Sequence, residues 1–85
     1  MIELDKKEYL GENEEGYEFF LSKNLTAYAK EQGFDNILVT YVRKKDAKNY
    51  EAILLLKDRT PIFESRTIEG IASRIDMLAI LEEFK

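Results

Sequence analysis

The sequence predicts an α+β fold in which a helix, a three-stranded antiparallel meander and a second helix follow one another along the chain (α-β-β-β-α). Two stretches whose apolar residues recur at spacings of three and four flank a central region rich in β-branched and aromatic residues. With 85 residues, the chain has no room for a second core. We therefore expect one small domain over residues 1–85, with residues 13–85 as its core.

The first third of the chain is predicted to hold an N-terminal segment and a helix. Residues 1–12 form either a short edge strand, since apolar residues alternate with acids, or a loose arm that packs on the body. The acids that follow suit the first turn of a helix from about residue 14 to 32, closed by Gly33. The apolar residues with helical spacing are Tyr17, Phe20, Leu21, Leu25, Tyr28 and Ala29.

The centre of the chain is predicted to be a meander of three strands. Residues 36–44 and 49–57 are rich in β-branched and aromatic side chains and are separated by a polar run, as in a hairpin. A tight connection then leads to a third strand at 60–65. Because Pro61 lacks the N–H that a ladder needs, this third strand is expected at a sheet edge.

The C-terminal stretch is predicted to be a second helix from residue 68 to about 84, with Thr67 as its N-cap. Met77 and Ile80 lie off the main apolar stripe, so the last turns are apolar over more than one face. An exposed apolar stripe is a candidate protein interface. The residues expected to form it are Met77, Ile80, Leu81 and Phe84.

The residue types that are missing exclude several kinds of chemistry. The chain contains no His and no Cys, which excludes disulfides, imidazole bases, thiolate nucleophiles and zinc sites with His or Cys ligands. It also lacks a Gly-rich phosphate loop, an Asp-rich calcium loop and a GxSxG motif. We therefore expect a chain that is not an enzyme and takes no cofactor and no metal. A subunit that uses Lys or carboxylate chemistry within a larger assembly is the weaker alternative.

No stretch of the sequence resembles a targeting or membrane segment. The N-terminal residues lack a basic region followed by an apolar one, and the longest apolar runs are five residues each. We expect a cytoplasmic protein that does not cross a membrane. The composition, rich in Lys and Glu, is typical both of thermophiles and of AT-rich bacterial or phage genomes, and it does not separate the two.

Charge is distributed unevenly along the chain. Residues 1–18 carry seven acidic side chains against two lysines, whereas residues 36–66 carry seven basic side chains against four acidic ones. Such a basic cluster either binds phosphate or carboxylate groups, or merely keeps a hairpin tip soluble and prevents its strands from pairing with another chain. The basic residues expected at the loop end of the first hairpin, beside the start of the second helix, are Arg43, Lys44, Lys45, Lys48 and Arg66.

In element order alone, the predicted helix, three-stranded meander and helix resembles the double-stranded-RNA-binding domain. That family contacts RNA through its first helix, its first hairpin loop and the start of its last helix, so the resemblance implies RNA binding at the basic loop end. The segment TIEGIASRI departs from the family, because it offers Glu69 and no lysine where a lysine-rich start is expected. Glu14, Glu15 and Glu18 would also repel phosphates at the first helix.

Three functions stay open at this point. The leading one is a small non-catalytic binding or regulatory module that acts through protein–protein contacts, because the strands are apolar on both faces while two helices cover one face. A protein partner, a homodimer, or the N-terminal segment with Ile2, Leu4, Tyr9 and Leu10 would cover the other face. The alternatives are nucleic-acid or anion binding at the basic loop end, and an acidic inhibitor or mimic of a phage or mobile element.

Overall fold

Five antiparallel strands form one sheet in the computed structural model, which describes residues 6–81. The strands lie side by side in chain order, so β1 and β5 are the two edges. The elements along the chain are β1 (Lys7–Glu12), β2 (Tyr17–Ser22), α1 (Lys23–Glu31), β3 (Ile37–Lys44), β4 (Ala52–Lys57), β5 (Thr60–Ser65) and α2 (Ile68–Leu81).

The predicted order of a helix, a three-stranded meander and a helix is wrong, because the sheet has five strands in the order β-β-α-β-β-β-α. The predicted helix at 14–32 is divided between two elements. Its first half is strand β2, and the helix α1 begins only at Lys23. The order that resembled the double-stranded-RNA-binding domain therefore describes only the last five of the seven elements.

A tight turn explains why β2 is a strand. The side-chain oxygen Oδ1 of Asn13 accepts hydrogen bonds from the N–H groups of Glu15 and Tyr17, both at 3.0 Å. Gly16 has a φ of +88°, which L side chains rarely adopt, so the chain reverses here. The reversal brings β2 alongside β1 as a hairpin, and the aromatic residues of β2 suit a pleated surface.

The N-terminal segment contributes one edge of the sheet. Residues 7–12 pair with β2 as strand β1, with a bulge between Tyr9 and Gly11. The Tyr9 ring lies against the ring of Phe20, with the two centroids 5.3 Å apart. The predicted alternation of Ile2 and Leu4 lies outside the described residues.

The second half of the chain follows its predicted elements closely. Strands β3, β4 and β5 fall within the predicted ranges or at their ends, and Pro61 lies on the edge strand β5. The Thr67 hydroxyl accepts a hydrogen bond from the N–H of Gly70 at 3.0 Å, which is the N-cap interaction predicted for α2. The predicted end of this helix near Phe84 lies outside the described residues.

Both helices pack on one face of the sheet and enclose the core. The hydroxyl of Thr26 on α1 accepts a hydrogen bond from the Val39 N–H at 3.0 Å, where β2 no longer accompanies β3. The Tyr28 hydroxyl of α1 donates a hydrogen bond to the Asp76 carboxylate of α2. The buried apolar residues of the core are Leu25, Ala29, Phe34, Ile37, Val39, Tyr41, Ile53, Leu55, Ile71, Ile75 and Leu78.

Candidate interaction surface

The face of the sheet opposite the helices is mostly apolar. Because successive side chains of a strand alternate between faces, the residues between the core positions of β3 and β4 all point away from the helices. Among residues 6–81, both helices belong to the other face, so neither covers these side chains. We call this surface the open face, and it consists of Phe19, Leu21, Leu38, Thr40, Val42, Ala52, Leu54 and Leu56.

The open face is hollowed by two adjoining grooves of about 380 and 500 Å³. Both grooves are lined by Asn13 and Phe19, so they lie next to one another, and we call the two together the trough. The side chains of Leu38 and Leu56 line the larger groove, whose wall on the β1 side is Leu10. The larger groove therefore offers a concave, mostly apolar surface, whereas Glu51, Glu64 and Arg66 make part of the lining of the smaller groove charged.

One polar side chain lies in the floor of this trough. Thr40 is on the central strand β3, its side chain is on the open face, and the residue is only 2% exposed. Its hydroxyl has no hydrogen-bond partner among residues 6–81. A buried hydroxyl without a partner costs about 1–3 kcal/mol of stability.

Charged residues border the open face, where Glu51 lines the smaller groove and Glu12 lines the larger one. One row across the sheet runs from Glu8 on β1 to Glu64 on β5 and contains three residues of the open face between them: Leu21, Thr40 and Leu54. The two acids thus lie at the two lateral edges. Arg66 lines the smaller groove and Arg59 lines the larger one, so the basic residues lie at the two ends along the strand direction. Glu8 also forms an exposed ion pair with Lys23 at 3.7 Å.

The predicted basic cluster does not form an isolated positive surface. Arg43 points to the helix side, forms an ion pair with Glu18 at 3.3 Å, and stacks on the ring of Phe20. Lys45 forms an ion pair with Glu12 at 3.7 Å.

The remaining members of the basic cluster are exposed. Lys44 lines a surface depression together with Glu15, and Lys48 is exposed in the β3–β4 loop. Arg66 lies at the same end of the sheet as this loop. The hairpin β1–β2 therefore brings acids beside the predicted basic residues, which lowers the positive potential available to an anion.

The predicted interface on α2 is exposed along one side of the helix. Met77 is 48% exposed, Ile80 is 81% exposed and Leu81 is 56% exposed. Their spacing of three and four residues places them together on the outer side, away from the buried residues Ile75 and Leu78. Phe84, the fourth member of this predicted set, lies outside the described residues.

The sequence reading missed the part of the open face that β2 supplies. The predicted helix over residues 14–32 includes Phe19 and Leu21, whereas both lie in strand β2 and line the face beside β3. The signal that was available is the turn between Asn13 and Gly16, followed by the aromatic-rich segment of β2.

Residues 6–81 contain neither a membrane-spanning helix nor a metal-binding cluster of side chains. No helix in this part of the chain is long and apolar enough to cross a membrane. No group of three or more acidic side chains is arranged there to hold a metal ion. In comparisons with protein-family models, curated proteins and solved structures, nothing matches this chain.

Proposed function

We propose that this chain is a small non-catalytic binding module that contacts a protein through its open face. The observation that carries the proposal is the run of apolar side chains on three neighbouring strands that neither described helix covers. Burial of apolar surface stabilises a complex by roughly 25 cal/mol for each Å² removed from water. The side chains of the open face are half-buried apart from the buried Thr40, and their continuity over three strands makes the face a surface that can gain stability by association.

The outer side of α2 supports a second candidate contact. Ile80 projects further into solvent than any other large apolar residue among those the structure describes, and Met77 and Leu81 lie beside it. This patch lies on the outer side of a helix, whereas the open face belongs to the sheet. A partner that binds here would be insensitive to changes in the trough.

Nucleic-acid binding at the β3–β4 loop end receives less support. Arg43 and Lys45 each form an ion pair with an acid of the β1–β2 hairpin. Phosphate groups would have to displace these acids or lie beside them, and the acids repel phosphates. The protein contact is therefore the function that the surface favours.

Affinity capture with matched variants tests the proposal. The tagged chain, a Leu54→Lys variant of the open face and an Ile80→Lys variant of α2 are incubated with extract of the source cells. A protein retained by the wild-type chain is then purified, and its Kd is measured calorimetrically for each folded variant. We expect Leu54→Lys to raise the Kd about tenfold or more, because the substitution places a charge in an apolar contact. We expect Ile80→Lys to leave the Kd unchanged.

The opposite pattern, with loss of binding only in Ile80→Lys, would move the contact to α2. A purified chain that stays monomeric and retains no protein from the extract would contradict the proposal. Circular dichroism and urea unfolding of both variants establish that each is folded before the affinities are compared.

A further inference from the structure

We propose that the element bound by the open face is an amphipathic α-helix of the partner, with Lys or Arg residues along both flanks of its apolar stripe. This inference rests on the proposed function, because it names the occupant of the same surface. Three features of the open face support it: its shape, the positions of its acids and its length.

The shape favours a helix over a second copy of this chain. The two adjoining grooves make the face concave. In a symmetric dimer the same patch faces itself, so two concave surfaces would oppose one another and leave a gap. A helix is a convex rod about 10–12 Å in diameter, and it can lower its apolar stripe into such a trough.

The charges favour basic flanks on that helix. Glu8 and Glu64 occupy the two ends of one row across the five strands. Strands are about 4.8 Å apart, so the two acids lie roughly 19 Å from one another across the sheet. A helix over β3 would leave a gap of a few ångströms on each side, which the long stems of Lys or Arg can span.

The ion pair that Glu8 already forms does not prevent this contact. Lys23 lies 3.7 Å from the Glu8 carboxylate, and both side chains are about half exposed. Exposed pairs of this kind contribute about 0–1 kcal/mol, so a basic residue of the partner can compete for Glu8. Arg59 and Arg66 lie at the two ends of the trough rather than beside its flanks, so they do not oppose the basic residues of a helix aligned with the strands.

The length of the face sets the length of the helix. Strand β4 spans six residues, which corresponds to about 20 Å at 3.3 Å per residue. A helix that covers this distance at 1.5 Å per residue contains about 13 residues. Its apolar anchors would recur at i, i+3 or i+4, and i+7, and they would contact Phe19, Leu38, Val42 and Leu56.

Two synthetic peptides serve as probes. Both carry the same Leu stripe over about four helical turns; one has Lys on both flanks and the other has Glu. Fluorescence anisotropy gives the Kd of each labelled peptide for the wild-type chain at low salt. We expect the Lys peptide to bind about tenfold more tightly, because two exposed attractive pairs replace two repulsive ones.

Two double variants separate a local effect from the total charge. Glu8→Gln with Glu64→Gln removes the two edge acids, and we expect it to abolish most of the preference for the Lys peptide. Glu31→Gln with Glu69→Gln removes two exposed acids that belong to the helix side of the molecule. This control changes the net charge equally, and we expect it to retain the preference.

Three outcomes would overturn the inference. Equal affinities of the two peptides for the wild-type chain would contradict the inference that the partner helix has basic flanks. An equal loss of preference in both double variants would show that net charge alone attracts the peptide. A wild-type dimer that Leu54→Lys converts to a monomer would assign the face to a second copy. In each of these cases, the proposed function would still hold if Leu54→Lys weakens binding of the partner. If Leu54→Lys does not affect partner binding, both the proposed function and this inference are contradicted.

Discussion

The hydroxyl of Thr40 is a polar group whose burial has no compensation within residues 6–81. Replacement of Thr40 by Val keeps the shape of the side chain and removes the buried hydroxyl. We expect Thr40→Val to raise the free energy of unfolding by about 1 kcal/mol, measured by urea denaturation.

Thr26 provides a matched control for this substitution. Its hydroxyl accepts a hydrogen bond from the Val39 N–H at 3.0 Å. Thr26→Val therefore leaves that N–H without its acceptor, and we expect the free energy of unfolding to fall by about 1 kcal/mol. Opposite signs for the two Thr→Val changes are the expected result; a loss of stability in Thr40→Val would show that the hydroxyl has an internal role.

The first turn of helix α2 depends on a glycine for space rather than for φ. A Cβ added at Gly70 would collide with the hydroxyl of Ser65 and lie 2.9 Å from that of Thr67. The Ser65 hydroxyl accepts a hydrogen bond from the Thr67 N–H at 3.1 Å, so displacing it disturbs the cap. Gly→Ala inside a helix usually stabilises by about 1 kcal/mol, but here we expect Gly70→Ala to destabilise by about 1–2 kcal/mol.

Ser73→Ala is the control for Gly70→Ala, since Ser73 is exposed in the same helix. We expect this change to be neutral or to raise the free energy of unfolding by a few tenths of a kcal/mol, because Ala has the higher helix propensity. Thermal unfolding of both variants measures the difference. A stabilised Gly70→Ala variant would mean that Ser65 moves aside at no cost.

The contact between the two helices makes the free energy of unfolding depend on pH in the alkaline range. The hydrogen bond from the Tyr28 hydroxyl to Asp76 raises the pKa of Tyr28, and partial burial and the charges of Asp76 and Glu31 add to the effect. A raised pKa in the folded state means that the protonated phenol stabilises the fold. This contribution is complete below the unfolded pKa of about 10 and is lost as the pH rises through the higher folded value.

Tyr28→Phe tests this linkage between the helices. We expect the variant to be less stable than wild type at neutral pH and to lose less stability as the pH is raised beyond 10, because the titrating group is gone. Urea unfolding at a series of pH values, with the tyrosine absorbance near 295 nm recorded in parallel, follows both effects. Parallel losses of stability in wild type and variant would show that the Asp76 contact does not control the pH dependence.

At the scale of the whole molecule, the sequence predicts well those elements that local chemistry decides. The β-branched runs and the Thr67 cap indicate β3, β4, β5 and α2 at close to their observed positions. Strand β2 was missed because the spacing of Tyr17, Phe20 and Leu21 also fits a helix. Only pairing with β1 on one side and β3 on the other decides in favour of a strand.

The candidate surface was predictable to the same extent. Alternation along β3 and β4 indicated a second apolar face, because Leu38, Val42 and Leu54 fall between the core positions. The contribution of β2 and the edge acid Glu8 required the missing hairpin. The partners of the predicted basic cluster were hidden for the same reason, since Glu12 and Glu18 approach Lys45 and Arg43 only through that hairpin.

The strand order has a consequence for how the chain folds. Every strand pairs only with its neighbours in sequence, so the sheet can grow outward from any one hairpin. Strands β4 and β5 are joined by a two-residue connection, whereas α1 and its flanking residues separate β2 from β3. Because loop closure over longer segments costs more entropy, β3, β4 and β5 should assemble before the β1–β2 hairpin joins them.

This order of assembly is measurable in refolding kinetics. In stopped-flow experiments, we expect Leu55→Val on β4 to slow refolding and Phe19→Leu on β2 to speed unfolding with little effect on refolding. The reverse assignment would place the first hairpin in the folding nucleus. If the expected order holds, the open face is completed in the last step of folding, so a refolding chain presents only the β3 and β4 part of its contact surface until β2 docks.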